Sequence, residues 1–125
     1  MTIAIETLLT RNLFEVFDER DPARRRAAIG ELYTEDCVFV DPKGAHSGHA
    51  ALDGAVAALH EFLPGHVFRQ VGAPQAIAGA GRLAWSSGPP GDGPRVTGLD
   101  LIVVRDGRIA ALYTFLDPHP ANTGD

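Results

Sequence analysis

The stretch VTGLDLIVV, residues 96–104, decides the fold because it is typical of a β-strand with two apolar faces. One face carries Val96, Ile102 and Val104, and the other carries Leu99, Leu101 and Val103. Asp100 is therefore predicted to be buried in either orientation. A buried carboxyl group pairs with a partner, binds a metal ion, or raises its pKa and stays protonated. The alternative is a structural anchor that accepts a hydrogen bond from a backbone or tryptophan N–H.

Strand patterns continue on both sides of this stretch. From Gly65 onward the sequence predicts four strands, at about residues 66–77, 82–87, 95–105 and 108–116, separated by turns rich in Gly and Pro. Asp106-Gly107 is a compact hairpin signal, and residues 89–94 form a longer exposed loop. Four strands in series indicate an antiparallel meander.

The first half of the chain is mainly helical. Apolar residues recur at three- and four-residue intervals from Ile5 to Phe17, and Asp21-Pro22 begins a second helix. Residues 37–40 form a short strand that ends at the turn sequence Asp41-Pro42-Lys43-Gly44, and a third helix follows Gly48. Helices followed by strands, with one strand between the second and third helices, indicate an α+β fold rather than a βαβ repeat.

Composition and charge narrow the function. The chain has 125 residues, 45% of them apolar, and a formal net charge of -5, so we expect one domain over residues 1–125 with a frayed tail at 118–125. Nucleic-acid binding is disfavoured, and Arg24, Arg25 and Arg26 are interpreted as a solvated helix face. No signal peptide and no 18-residue apolar run occur, so a cytoplasmic protein without membrane contact is expected.

Neither the histidines nor the cysteine predict a metal site. His46 and His49 have HxxH spacing, but they straddle a helix start, and Cys37 is alone in an apolar run. We interpret Cys37 as a small buried hydrophobic residue. Trp85, among small neighbours, is either ordinary core or the wall of a cavity for a flat ligand.

Taken in this order, the elements resemble the family of nuclear transport factor two, ketosteroid isomerase and SnoaL-like polyketide cyclases. The resemblance covers about residues 5–117 and rests on two segments, LYTED followed by VFVDP at residues 32–42, and GLDL followed by DGRI at residues 98–109. It implies a cone-shaped, curved antiparallel sheet, or half-barrel, with three helices that enclose an apolar pocket. It implies a fold more strongly than a reaction, since members with many functions share it.

The resemblance to ketosteroid isomerases also implies site residues. Asp41 falls on the general base, Asp100 on the protonated carboxyl group that donates to the enolate oxygen, and Tyr33 on a supporting tyrosine. By itself, Asp41 before Pro42 is also a common turn starter. Leu13 stands where the family has its main oxyanion tyrosine, and Val56 stands where it has a second supporting tyrosine. The loss of one oxyanion donor typically lowers the rate about 10²- to 10³-fold.

Other members of the family fit this sequence less closely. Limonene epoxide hydrolase needs a carboxylate at the position of Thr114, whereas a SnoaL-like cyclase needs one aspartate as acid and base, and Asp41 or Asp100 could serve.

Our leading hypothesis is therefore an enzyme without cofactor or metal that moves a proton next to the carbonyl of a flat hydrophobic ketone, with Asp41 as base and neutral Asp100 as donor. The alternative is a binding protein or dimeric scaffold without catalysis. A homodimer is expected in either case, because strand faces near the C-terminus are apolar on both sides. The candidate pocket residues are Leu13, Phe17, Tyr33, Phe39, Val56, Leu59, Trp85 and Leu116.

Overall fold

The computed structural model describes residues 2–118 and has the expected α+β architecture. The expectation of a frayed tail falls on residues 118–125, of which all but Pro118 lie outside the described residues. The helical elements are α1 (Ile5–Arg11), a π-helical segment (Asn12–Phe17), α2 (Pro22–Leu32) and α3 (His49–Phe62). The strands are β1 (Tyr33–Asp41), β2 (Gly44–Ser47), β3 (Val67–Ile77), β4 (Ala80–Gly88), β5 (Val96–Arg105) and β6 (Arg108–Leu116).

The six strands form one curved, unclosed sheet in the order β2-β1-β6-β5-β4-β3. The predicted meander is confirmed, because β3, β4, β5 and β6 pair antiparallel in chain order. Strand β1 pairs parallel with β6, so the whole sheet is mixed rather than antiparallel throughout. A parallel pair needs a long connection, and here that connection contains β2, α3 and the rest of the meander. Irregular registers in three strand pairs add bends to the sheet.

The sequence marks the starts of α2 and α3 correctly, whereas Tyr33, expected in the second helix, is the first residue of β1. The Asp21 carboxylate accepts a hydrogen bond of 2.8 Å from the backbone N–H of Arg24, and Pro22 is the first residue of α2. Gly48 precedes α3 with φ of 87°, a conformation that favours glycine. The first predicted helix is one continuous element whose second half is π-helical. The N–H of Asp18 donates to the carbonyl of Leu13, five residues earlier, which is the hydrogen-bond spacing of a π-helix.

The helices cover the concave face of the sheet and form the core with it. Cys37 is buried there, as predicted. Arg25 is also buried, contrary to the prediction of a solvated face, because its guanidinium lies 2.6 Å from the Asp53 carboxylate of α3. Within residues 2–118, the helices are all too short or too polar to cross a membrane. The largest fully buried side chains are Tyr33, Leu8, Leu9, Leu13, Ile29, Leu32, Leu52, Leu83, Ile102, Ile109, Leu112 and Val16.

Candidate active site

A cavity of about 260 Å³ lies between the helices and the concave face of the sheet. Its mouth is near Phe62 and Leu116, which are 73% and 50% exposed. The wall is mostly apolar, which strengthens the few polar contacts inside it. The apolar lining residues are Leu13, Phe17, Phe39, Pro42, Ala55, Ala58, Leu59, Phe62, Leu63, Phe68, Trp85, Val96 and Leu116. The polar lining residues are Asp41, Lys43, His46, Asp100 and Thr114.

Most of the residues predicted for the site line this one cavity. Asp41 and Asp100 both contribute to its wall. Six of the eight predicted pocket residues do so as well, namely Leu13, Phe17, Phe39, Leu59, Trp85 and Leu116. Tyr33 and Val56 do not line it, and both are completely buried in the core.

Asp100 lies near the middle of β5 with only 4% of its surface exposed. The indole N–H of Trp85 donates to its Oδ1 at 3.0 Å, and the hydroxyl of Thr114 donates to the same atom at 2.9 Å. Burial raises the pKa of the Asp100 carboxyl to about 7, although these two hydrogen bonds favour the ionised form and oppose the rise. The neutral form of Asp100 is therefore populated near neutral pH, unlike that of an exposed aspartate.

The two hydrogen bonds also decide where a proton on Asp100 resides. Both donors occupy Oδ1, and no donor within residues 2–118 bonds to Oδ2. A protonated carboxyl group keeps its O–H on the oxygen that is not already accepting. Neutral Asp100 thus carries its hydrogen on Oδ2, available to a molecule in the cavity.

Gly98 allows Trp85 to reach Asp100. Strand register pairs Trp85 with Gly98, two residues before Asp100 on the same face. A Cβ atom at Gly98 would lie 2.6 Å from Cζ2 of Trp85 and 2.4 Å from the carbonyl oxygen of Phe115, closer than packed atoms approach. The missing side chain leaves the space that the indole ring occupies. Trp85 is thus buried in the core, lines the cavity and donates to Asp100, so the core and cavity-wall interpretations both apply to it.

Asp41, Thr114 and Asp100 lie in one row across three neighbouring strands. Thr114 of β6 pairs with Asp100 of β5. On its other side, β6 pairs parallel with β1, and Val40 lies opposite Tyr113, so the next residue on each strand puts Asp41 opposite Thr114. All three side chains point to the concave face, where they line the cavity. Two strand spacings separate the chains at Asp41 and Asp100, about 10 Å between Cα atoms.

The Asp41 carboxylate is held at the β1–β2 turn. Its Oδ1 accepts a hydrogen bond of 3.0 Å from the backbone N–H of Lys43, as an aspartate that begins a turn does. Its side chain is 21% exposed, and Nε2 of His46 lies 3.6 Å from the same oxygen. Asp41 therefore combines the turn role with a position on the cavity wall. The two interpretations of the sequence are compatible.

Tyr33 lies behind the cavity wall. Its hydroxyl donates to the side-chain oxygen of Asn12 in the π-helical segment, while burial and the nearby Asp100 charge raise the Tyr33 pKa well above its ordinary value. Tyr33 thus joins β1 to the π-helical segment, whose Leu13 and Phe17 reach the cavity. Its contribution to the site is indirect.

Three polar residues of the wall, Lys43, His46 and Thr114, were not selected from the sequence. Thr114 was considered only as the position where limonene epoxide hydrolase needs a carboxylate, because its hydrogen bond to Asp100 depends on the register of β5 and β6. His46 was considered only as a metal ligand, and it instead stacks on Phe39 with ring centroids 5.4 Å apart. Within residues 2–118, no group of three His, Cys, Asp or Glu side chains converges on a possible metal position.

Comparisons with known proteins agree with this fold. A family model of the SnoaL-like domain matches residues 10–112, whereas no curated protein matches the sequence. A crystal structure of a proposed isomerase of the SnoaL-like family from Agrobacterium tumefaciens is similar with a TM-score of 0.83 and 27% identity, covering 89% of this chain and 95% of that chain.

Two more distant structures share the fold. A proposed polyketide cyclase from Sinorhizobium meliloti has a TM-score of 0.69 at 18% identity, covering 86% of this chain and 92% of that chain. A proposed ketosteroid isomerase from Kribbella flavida has a TM-score of 0.69 at 16% identity, covering 90% of this chain and 77% of that chain.

Proposed function

Because the chain belongs to the SnoaL-like family, we propose that it is an enzyme that moves a proton next to the carbonyl group of a flat, hydrophobic ketone. Asp41 is the base in this proposal, and neutral Asp100 is the hydrogen-bond donor to the oxygen. The similar structures include one described as a proposed isomerase and one described as a proposed ketosteroid isomerase, which agrees with this class of reaction.

The observation that carries the proposal is the arrangement around Asp100. Trp85 and Thr114 both donate to Oδ1, burial raises the pKa to about 7, and Oδ2 is left for a ligand. A group that served only as an anchor would have no need of a cavity beside its second oxygen. Neutral carboxyl donors in apolar surroundings stabilise the negative charge of an enolate.

The reaction needs two proton transfers and no other reagent. Asp41 removes a proton from the carbon next to the carbonyl, and the electrons of that C–H bond form the double bond of the enolate. The Oδ2–H group of Asp100 hydrogen-bonds to the developing oxygen anion. Asp41 then returns the proton to a carbon further along the conjugated system, so the double bond moves and the enzyme is regenerated.

Leu13 limits the efficiency of this reaction. It lines the cavity at the position where the related isomerases carry their oxyanion tyrosine, so Asp100 is the donor without that second hydroxyl. One missing donor lowers kcat by about 10²- to 10³-fold. This feature favours either a substrate whose enolate forms more easily or a protein that only binds its ligand.

The test is the isomerisation of a one-ring β,γ-unsaturated ketone such as 3-cyclohexen-1-one, followed by ultraviolet absorbance. Asp41→Asn is expected to lower the rate about 10²- to 10⁴-fold, the usual contribution of a general base. Asp100→Asn lowers it less, because the amide N–H still donates. Asp92→Asn, an exposed carboxylate of the loop before β5, is the matched control and leaves the rate unchanged.

Two results would separate the alternatives. Equal rates in wild type, Asp41→Asn and Asp100→Asn would contradict the isomerase proposal. Saturable binding of flat ketones without turnover would favour the ligand-binding alternative, which the leucine at position 13 already supports. Ring closure of a polyketide chain by the wild type, lost in Asp41→Asn or Asp100→Asn, would favour a SnoaL-like cyclase.

We also propose that two copies of the chain pair through the outer face of the sheet. Val103, Tyr113 and Phe115 are 40%, 37% and 56% exposed on that face, and the helices pack on the other. A broad apolar sheet face is characteristic of an interface rather than of a free surface. Sedimentation at micromolar concentration should give a dimer, and Phe115→Glu should give a monomer. A monomeric wild type would contradict this pairing.

A further inference from the structure

We infer that the ligand of the cavity is amphipathic and carries a carboxylate group, with its carbonyl oxygen at Asp100 and its carboxylate at Lys43 in the mouth. This inference rests on the proposed function for the role of Asp100, and it specifies the substrate class as a hydrophobic keto acid.

Lys43 supplies a permanent positive charge to the cavity wall. The other ionisable groups among the described residues that line the cavity are Asp41, His46 and Asp100. Lys43 is also the only lysine in a chain whose formal net charge is -5. A cation therefore stands at the cavity of a protein whose overall charge repels anionic ligands.

Two contacts keep Lys43 at the opening of the cavity. Its backbone N–H donates to Oδ1 of Asp41 at 3.0 Å, which fixes the turn. Its Nζ atom lies 5.1 Å from the centroid of the Phe62 ring. Phe62 is the last residue of α3, lines the cavity and is 73% exposed at the mouth. The ammonium group therefore lies where the outer end of a bound molecule meets water.

The Lys43 ammonium group is available to a ligand. Within residues 2–118 it forms no ion pair with a carboxylate, whereas Arg11, Arg25 and Arg105 each form one. Its contact with the Phe62 ring is weak at an exposed site, and its N–H donors remain available to an anion. A ligand carboxylate can thus pair with Lys43 without breaking an existing ion pair.

The change in polarity along the cavity fixes the orientation of the ligand. Asp100 is 4% exposed, Lys43 is exposed, and the wall between them is mostly apolar. A carboxylate inside the cavity would lose its hydration, whereas at the mouth it stays in contact with water. The carbonyl group therefore faces Asp100 and the carboxylate faces Lys43.

The distance between the two groups suits a ring system with a short arm. The chains at Asp41 and Asp100 are about 10 Å apart between Cα atoms, and Lys43 follows Asp41 by two residues. A flat two-ring body with a flexible carboxylate arm is long enough to reach from Asp100 to the mouth.

Isothermal titration calorimetry with a matched pair of ligands tests the inference. The probes are 3-(6-hydroxynaphthalen-2-yl)propanoic acid and its primary amide, in which the naphthol resembles the enolate of a flat ketone. We expect the acid to bind about fivefold tighter than the amide at low ionic strength, the upper range for an exposed ion pair. Most of this preference should be lost in about 0.5 M salt, because salt screens exposed charges.

Two variants locate the preference. Lys43→Met keeps an unbranched side chain against Phe62 and removes the charge, so the preference for the acid should disappear while the affinity for the amide stays the same. Arg82→Met is the matched control, because it removes the same charge from an exposed residue that bonds to Gln75 and does not line the cavity. This control should keep the preference.

Each outcome has a defined meaning. Equal binding of acid and amide to wild type, no binding of the acid, or a preference that survives in Lys43→Met would each overturn the inference. The wild-type comparison and its salt dependence hold even if Lys43→Met does not fold. Preference for the acid without turnover of any ketone would contradict only the proposed reaction. Turnover of a neutral ketone without this preference would contradict only the inference.

Discussion

Replacing Asp100 by Asn is expected to stabilise the protein more as the pH rises. The amide keeps an oxygen that accepts from Trp85 and Thr114, and it has no charge to bury. In the wild type the pKa of Asp100 is raised from 3.8 to about 7, so the folded state holds this proton more tightly than the unfolded state does. Its contribution to stability is fully present below about pH 3.8 and is lost as the pH rises to about 7.

The size of the effect follows from that difference. A pKa difference of about three units between the folded and unfolded states corresponds to about 4 kcal/mol in the free energy of unfolding. Roughly 3 kcal/mol of this stabilisation is lost as the pH rises from 5 to above 7. Urea unfolding of wild type and Asp100→Asn at pH 5 and pH 8.5 measures it, and the advantage of the variant should grow by about 3 kcal/mol between the two values. The same advantage at both values would show that Asp100 ionises like an exposed carboxyl, and would refute the role of neutral donor.

Three further predictions concern the same part of the sheet. Gly98→Ala should lower the free energy of unfolding, measured in urea, by about 1 to 3 kcal/mol, because the new Cβ meets the indole ring of Trp85 and the carbonyl of Phe115. The near-ultraviolet circular dichroism of Trp85 should change as well, and an unchanged spectrum would contradict this packing. The value of kcat/KM should fall as the pH rises through about 7, since ionised Asp100 no longer donates, and a flat profile from pH 6 to 8 would argue against this. Thr114→Val removes a hydrogen bond that favours ionised Asp100, so the Asp100 pKa should rise and kcat/KM should fall at a higher pH than in the wild type. A fall at lower pH would contradict the assignment of this pH dependence to Asp100.

The regular elements were predictable because local patterns specify them. The apolar spacing in the first helix, the Asp21-Pro22 start of α2 and the Asp106-Gly107 turn each depend on residues close in sequence. Strand β2 was missed, since Gly44–Ser47 is short and has no apolar alternation. The parallel β1–β6 pair depends on contacts between distant segments, which spacing along the chain does not encode.

The two aspartates of the site could be predicted from the sequence, whereas the contacts that depend on strand pairing could not. Burial of Asp100 followed from the apolar residues on both sides of its strand, and the position of Asp41 came from the family resemblance. The hydrogen bond from Thr114 depends on strand register, which hydrophobic patterning alone does not provide. Tyr33 was assigned to the pocket by its family position, but its hydroxyl turns to Asn12 behind the wall.

Hydrogen exchange on a ketone tests the central claim most directly, because it detects proton transfer next to a carbonyl whether or not a double bond moves. The two-ring ketone 2-tetralone would be incubated with the protein in D₂O, and deuterium at the carbons beside the carbonyl would be followed by NMR. The proposed reaction predicts exchange well above the buffer rate with the wild type and its loss in Asp41→Asn. Exchange at the buffer rate, or at equal rates in both proteins, would contradict it.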